Sequence, residues 1–437
     1  MYNSPRRWGG SNRLADVHAR QVPAEAHKGS YRDFLRRHER ESAKAALGDR
    51  KAQAAFAACL LRRTADNRNL KHAINYLASE AGTAPGPNGL TFEDLDVDER
   101  WGMARALGGC ISAGTYRPGP ERIVKIPKTS KRGTRTLRLQ NIEDRAVQRA
   151  IVQVIQPFFD PTFARTSYGF RPGMGREDAL AMAEHFATKD GRWIWILDDI
   201  RDAFDQVPHK RLLDILRHRA MPGELLELVK VVIENGTGRG LRQGGSLSPF
   251  LLNVYLDHFL DRPWAKQTPG CPLIRYADDL LVLVQDEKQG IDADKCLRQR
   301  LLAAGMPLKG DTTTSIHNLE TAEPVDWLGF RIRKEGSEVE VLPGERSWNG
   351  LQDELEQAHT KPDSPIRAIE TTEGWVGQLG PCRPFLDIPA FVASIASLAS
   401  GLAFDEFPSL ERIVDLLDNA YGRWDRNRMR AHVPEPG

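Results

Sequence analysis

Two clusters of carboxylates carry the strongest chemical signal in this sequence. Tyr276-Ala277-Asp278-Asp279 sets two adjacent acids between the apolar Ile274 and the run Leu280–Val284. Anions inside an apolar stretch are costly unless a cation holds them. Asp198-Asp199-Ile200-Arg201-Asp202-Ala203-Phe204-Asp205 follows a second apolar run that begins at Trp193. An Asp-Asp pair between strands is commonly only a polar turn, and a single Asp at a strand end is commonly only a cap. Two such clusters, each at the end of an apolar strand, fit a different purpose. They suit a site that holds two divalent ions roughly 4 Å apart. Magnesium takes carboxylate oxygens and substrate phosphates, so it needs no His or Cys here. Manganese is an alternative in such an oxygen site.

A third stretch is Gly240-Leu241-Arg242-Gln243-Gly244-Gly245-Ser246-Leu247-Ser248-Pro249, just before a helical pattern. Glycines let backbone approach a ligand closely, and the Gln243 amide can bond a sugar or a base. Taken alone, a Gly-rich turn before a helix is only a turn.

The elements that must position these residues follow from periodicity. Trp193–Ile200 is a short, nearly continuous apolar run, which predicts a buried central strand. Leu273–Val284 predicts a β-hairpin with the acids at its turn. Residues 30–82 predict helices, with frequent Ala and apolar residues at helical spacing. Thr83–Gly89 is a turn-rich break. Helix is predicted over Thr91–Gly108, strands over Arg122–Pro127 and Arg135–Leu139, and an amphipathic helix over Ile142–Phe159. Helices are also predicted over Leu212–Val232 and Pro249–Leu260, with helical patches near Leu351–His359, Phe391–Leu402 and Leu410–Trp424.

In order along the chain, the motifs are similar to those of bacterial reverse transcriptases of the group II intron-like lineage. The matching stretches are Gly86–Thr91, Ile126-Pro127-Lys128 with Arg135-Thr136-Leu137, Glu143–Gln148 and Ser167–Pro172. They continue with Asp199–Asp205 and His209, Arg242–Pro249 with Asn253, Tyr276–Asp279 and Trp327–Phe330. The resemblance runs from about Pro85 to Phe330. It implies an α+β right-hand polymerase fold with fingers, a palm built on an antiparallel sheet with packed helices, and a mainly helical thumb. The implied organisation is a basic helical extension over 1–82, fingers with part of the palm over 83–192, palm over 193–335 and a thumb-like region over 336–437.

The resemblance also assigns roles. Asp199 and Asp278 would bind both metals with Asp279 beside them, and the Ile200 carbonyl would complete a shell. Asp198 stands one residue early, so a register slip by one is the main alternative. Phe204 falls where the family places an aromatic ring against the sugar C2′, favouring dNTPs over rNTPs. Lys128 and Arg135 match positions that hold the triphosphate, and an ammonium and a guanidinium fork suit that polyanion. Gln243 and Gly244 match the dNTP-contacting turn. Arg171 reads as a template contact and His209 as structural. One departure stands out: the family usually has a Lys-Thr pair after the catalytic hairpin, and the aligned residues here are Thr312-Thr313. That predicts slower catalysis, or transfer of the pyrophosphate-assisting task to Lys309.

Composition bounds the remaining readings. The chain has 437 residues, 41% hydrophobic and 27% charged, and a net charge of only +2. That charge is uneven: 16 Lys+Arg against 8 Asp+Glu in residues 1–80, 9 against 3 in 121–150, and 9 against 16 in 340–437. The basic front half fits a polyanion partner. Cys59, Cys110, Cys271, Cys296 and Cys382 lack zinc-ligand spacing. No apolar run reaches a bilayer span, and the first ten residues lack the pattern of an export signal, which predicts a cytoplasmic protein with no membrane partner. The expected partners are an RNA template, a DNA primer or cDNA product, and dNTPs. Chains of this kind resemble antiphage defence reverse transcriptases that work with a structured non-coding RNA. The alternatives are a maturase-type RNA-binding protein and a polymerase that extends DNA ends without a template.

Overall fold

A computed structural model describes residues 31–80, 84–127, 134–219, 223–242, 244–321, 323–360 and 363–431, with backbone alone at 80, 126–127 and 134–137. The chain divides into two compact units assembled from interleaved segments. The first comprises residues 1–125, 136–163 and 204–256, and the second 126–135, 164–203 and 257–437.

The first unit is built around the helix Ile142–Phe159. Ala146, Val147, Ala150, Ile151, Val152, Val154, Ile155 and Phe159 are all buried. Its apolar surface therefore exceeds the single stripe that the sequence suggested, and it behaves as a core helix. The basic segment forms helices Tyr31–Ala46, Arg50–Ala57, Leu60–Thr64 and Asn67–Glu80. These pack onto the core helix through polar anchors. His38 Nε2 lies 2.7 Å from the Val154 carbonyl, and Asn69 Nδ2 donates to the Ala150 carbonyl at 3.1 Å. Burial pushes the His38 imidazole down to about 4, so it sits neutral in this contact.

Two predicted helices have different bounds. The helix expected from Thr91 begins at Val97. Asp96 caps it, in a reciprocal pair of hydrogen bonds with Glu99, and Thr91 is held instead in a turn by Asp94. The stretch Leu212–Val232 forms two helices, His209–His218 and Gly223–Ile233. Pro222 between them lacks an N–H and disfavours helical backbone before it. In the same unit the segment Pro249–Leu260 forms the helix Leu247–Leu256. Strands β1 (Arg122–Pro127) and β2 (Thr134–Leu139) pair as a two-stranded ribbon.

The second unit centres on a five-stranded sheet of order β3-β5-β6-β4-β7. Its strands are β3 (Ser167–Tyr168), β4 (Ile194–Asp199), β5 (Leu273–Tyr276), β6 (Asp279–Val284) and β7 (Ile316–Asn318). β4 runs antiparallel to β6 and β7, β5 and β6 form a hairpin, and β3 lies parallel to β5. Side chains alternate between faces along a strand. Trp195, Leu281 and Leu283 join one apolar cluster with the helix Arg176–Asp190. On the other face the helix Glu287–Ala303 lies so close that a Cβ on Gly290 would meet Ile194 at 3.4 Å and Val284 at 3.6 Å. Both faces are covered, which is why β4 and β6 read as continuous apolar runs.

A second sheet, β10-β9-β8, adds β8 (Val325–Trp327), β9 (Phe330–Glu335) and β10 (Glu338–Pro343). Helices Glu345–Ala358, Ser364–Val376, Ile388–Gly401 and Leu410–Ala431 follow. Their buried residues, including Leu351, Val376, Ile395, Leu417 and Trp424, continue the cluster that contains Trp195. Arg428 on the last helix bonds Glu184 at 2.7 Å. No helix among the described residues is long and apolar enough to cross a membrane.

Candidate active site

Strand alternation separates the two neighbouring acids of β4. Asp199 stands opposite Asp279 of β6, whereas Asp198 stands opposite Leu280. Asp199 follows the parity of Trp195 and Leu197, and Asp279 follows that of Leu281 and Leu283. The two carboxylates therefore share a face. Asp198 points to the opposite face, toward the helix Glu287–Ala303.

The surroundings of these acids differ as sharply. The Asp198 side chain is 3% exposed and bonds Arg298, Ser315 and the Gly310 N–H at 2.8–2.9 Å. Asp199 is 35% exposed, and Lys309 Nζ donates to its Oδ2. Its Oδ1 is buried without a hydrogen-bond partner among the described residues.

Asp278 occupies the two-residue turn between β5 and β6, where Tyr276 pairs with Asp279. Its partner in the turn, Ala277, has φ +58°, an unfavourable conformation for a residue with a side chain. Two neighbours impose the turn. Arg275 is fully buried, bonds Asp261 at 2.6 Å and Ser167 at 2.6 Å, and donates to the Ala277 carbonyl at 2.9 Å. Gly169, at φ +74°, approaches so closely that a Cβ would lie 2.6 Å from the Ala277 nitrogen. The Ile200 N–H donates to the Asp278 carbonyl at 3.2 Å, linking the two acid-bearing segments.

Carboxylates this close repel one another. Burial, then the charge of Asp199, raises the Asp278 carboxyl above its ordinary range. Burial, then Asp199 and Asp278, pushes Asp279 up to about 6. Lys309 and Arg346 offset part of the effect on Asp279.

Three crowded acids and an orphaned buried oxygen fit hard divalent cations, which favour oxygen donors. Among the described residues, no three His, Cys, Asp or Glu side chains close on one point as a preformed cage. Lys309 draws Asp199 toward itself. An incomplete protein shell is what magnesium uses when substrate phosphates and water supply its other ligands.

The family profile described as reverse transcriptase (RNA-dependent DNA polymerase) matches residues 126–332, a span that holds all three acids. This chain carries a reverse transcriptase domain. Among curated relatives, Protein YkfC of Escherichia coli is 28% identical, over 62% of this chain and 84% of its own length. The group II intron-encoded protein LtrA of Lactococcus lactis is 30% identical, over 35% of this chain and 26% of its own length. The chain thus spans most of one relative but about a quarter of the intron-encoded one. Among solved structures, apo telomerase from Candida tropicalis aligns with TM-score 0.40 at 12% identity, over 70% of this chain and 64% of that chain. A partial Cas6-RT-Cas1–Cas2 complex aligns with TM-score 0.35 at 23% identity, over 56% and 41%.

The other predicted contacts of the reverse transcriptase domain are distributed more widely. Lys128 and Gln243 lie outside the described residues, as does the Arg135 side chain. Gly244, at φ +107°, sits so near the Arg138 carbonyl that a Cβ would be 3.2 Å from it. Phe204 is half-buried in the first unit, where its carbonyl accepts from the Leu241 N–H at 2.7 Å. Ile200 is fully buried. The structure assigns Arg171 differently from the template contact expected of it: it is 8% exposed and donates to the Ala164 and Ser167 carbonyls. His209 is structural as read, with Nε2 at 2.7 Å from the Gly240 carbonyl.

Sequence reasoning missed Arg275, Arg298 and Arg346 around the acids. One signal for Arg275 was present: a cation within Leu273-Ile274-Arg275-Tyr276 must find a buried anion. Arg298 and Arg346 carried no such mark, since each lies among other charged residues of a helix.

Proposed function

We propose that this chain extends a DNA 3′ end with dNTPs on an RNA template, with Asp199, Asp278 and Asp279 as the carboxylates of a two-metal site. The observation that supports this reading best is the pairing of Asp199 with Asp279 on one sheet face, beside Asp278, within the reverse transcriptase domain.

In this reading Asp199 and Asp278, with the Ile200 carbonyl, hold two magnesium ions, for which manganese can substitute. Ions held there would lower the pKa of the primer 3′-OH and offset charge on the departing pyrophosphate. The primer 3′ oxygen forms a bond to the α-phosphorus, and the bond to the pyrophosphate oxygen breaks. Asp278 and Asp279, unsettled by burial and by the charge of Asp199, are primed to accept cationic charge. Lys309 supplies a fixed positive charge beside Asp199. Lys128 and Arg135 neutralise the triphosphate, and the turn at Gln243-Gly244 contacts the incoming nucleotide. The Phe204 ring excludes a 2′-hydroxyl. Segments 83–192, 193–335 and 336–437 serve as fingers, palm and thumb. The basic helices up to residue 82 bind a structured RNA, a dedicated non-coding template in an antiphage setting.

A second reading is favoured by the intron-encoded relative: an RNA-binding protein in which polymerisation is secondary. Primer extension on a primed RNA template, with dNTPs or rNTPs and Mg²⁺, separates the two. The expected result is dNTP-dependent product from wild type and none from the Asp278→Ala, Asp279→Ala double variant. Tight RNA binding by both proteins without product from either would favour the second reading. Sequencing cDNA recovered from cells would identify the template.

A further inference from the structure

We propose that Arg298 is a positioning residue, whose guanidinium fixes the segment Pro307–Gly310 so that Lys309 meets Asp199. The proposal rests on the reading of Asp199 as a carboxylate of the reacting site.

Arg298 lies on the helix Glu287–Ala303, on the sheet face opposite Asp199. Its planar fork satisfies four acceptors at once. Nε donates to Asp294 Oδ2 at 2.8 Å, and Nη1 to the Gly310 carbonyl at 2.7 Å. Nη2 donates to Asp198 Oδ2 at 2.8 Å and bonds Ser315 Oγ at 2.9 Å. These acceptors belong to four elements: the end of β4, the helix itself, the turn at Gly310 and the short helix Thr312–Ser315.

Asp198 extends the lock. Its Oδ1 accepts from the Gly310 N–H at 2.9 Å and from the Asp199 N–H at 2.8 Å. The same carboxylate thus orients the backbone of both residues that flank the Lys309–Asp199 contact. Gly310 is tight here, since a Cβ would fall 2.9 Å from Ser315 Oγ and 3.0 Å from Asp198 Oδ2. On the other side of the lock, Pro307–Lys309 runs antiparallel to the end of β4. The Arg201 N–H donates to the Pro307 carbonyl, and the Lys309 N–H to the Asp199 carbonyl, both at 2.8 Å. Thr312, where a lysine was expected, is tied off by Asp294 at 2.6 Å. The cation that meets Asp199 is Lys309, and Arg298 holds the turn that aims it.

A buried pair also contributes stability, so the test must separate aiming from folding. Arg298→Lys keeps the charge but cannot span four acceptors, because a lysine ammonium is a single point. Primer extension is measured for wild type, Arg298→Lys, Lys309→Ala and the double variant, alongside their affinity for the primed template. Arg298→Lys is expected to slow turnover about tenfold or more, a typical cost of disturbing an outer-shell partner, with template affinity unchanged. The double variant is expected to be no slower than Lys309→Ala alone. Losses that multiply, or turnover equal to wild type, would overturn the proposal.

Amide hydrogen exchange gives a readout that does not need activity. The Lys309 and Gly310 amides should lose protection in Arg298→Lys while the sheet amides of β6 keep theirs. Unchanged protection at these two amides would also overturn it. Should wild type make no product, the polymerase reading fails while exchange still decides the role of Arg298. If Arg298→Lys does not fold, Ser315→Ala removes one bond of the lock and is read in the same way, with a smaller expected loss.

Discussion

Asp198 and Asp199 are adjacent in sequence, identical in type and opposite in circumstance. Asp198 has every oxygen engaged and is shielded from water, whereas Asp199 is partly exposed and leaves one buried oxygen orphaned. The first arrangement is what a stabilising ion pair requires, because buried charge must be fully compensated. The second is costly in the free protein. Asp278 and Asp279 add to that cost, since burial and then the charge of Asp199 raise both carboxyls. Three unsettled acids beside one fully satisfied acid are the pattern expected where function outweighs stability.

Neutralising the reacting face should give the largest effect on rate. Asp199→Asn is expected to reduce primer extension by about 10³-fold or more, equivalent to about 4 kcal/mol of lost transition-state stabilisation. Its folded stability should match or exceed wild type. Asp198→Ala should behave in the opposite sense. It takes from Arg298 one of its two anions, and from the Gly310 and Asp199 N–H groups their acceptor, and is expected to cost about 3 kcal/mol of stability, read from urea unfolding. Comparable stability losses for both variants would erase the distinction between the two positions.

Divalent cation offers a third discrimination. In ligand-free protein near pH 8, added Mn²⁺ should raise the melting temperature of wild type by a few degrees, since binding to the native state stabilises it. Chelation should reverse the shift, Asp199→Asn should abolish it, and a conservative Asp198→Asn should retain it if it folds. An equal shift in Asp199→Asn would place the cation elsewhere.

The smallest effect concerns pH. The Asp279 carboxyl titrates near 6 in the fold against an ordinary value of 3.8. The native state therefore holds its proton more tightly than the unfolded chain. Its contribution to stability is complete below about pH 4 and is lost as pH rises through about 6. Without divalent cation, Asp279→Asn should flatten this limb of the stability curve and leave the protein slightly more stable than wild type at neutral pH. An unaltered pH dependence would show that Asp279 is not unsettled by its neighbours.

Much of this was legible in the residues themselves. The apolar runs ending in Asp198-Asp199 and flanking Ala277-Asp278-Asp279 announced two strands with acids at their ends, and β4, β5 and β6 lie where those runs are. A one-residue register slip was the open question, since a sequence cannot say which of two adjacent acids faces which way. Sheet pairing sets Asp199, and not Asp198, against Asp279. The Ile142–Phe159 helix was legible in extent but not in burial, because its neighbours come from residues far away in the chain. The thumb-like region gave helical patches only. Its order comes from packing on a shared core, which local periodicity does not encode.

Sequence alone carried the reverse transcriptase motifs in order, the acids at strand ends and a basic front half. Those properties depend on residue type and spacing along one strand or turn. Only the tertiary structure decided which acid is partly exposed and which is fully engaged, that Arg171 is buried, and that Arg298 reaches the turn behind Lys309. Arg298 meets Asp198 across 100 positions and Lys309 meets Asp199 across 110, and the facing of the two acids depends on sheet pairing. Distance along the chain carries no record of either.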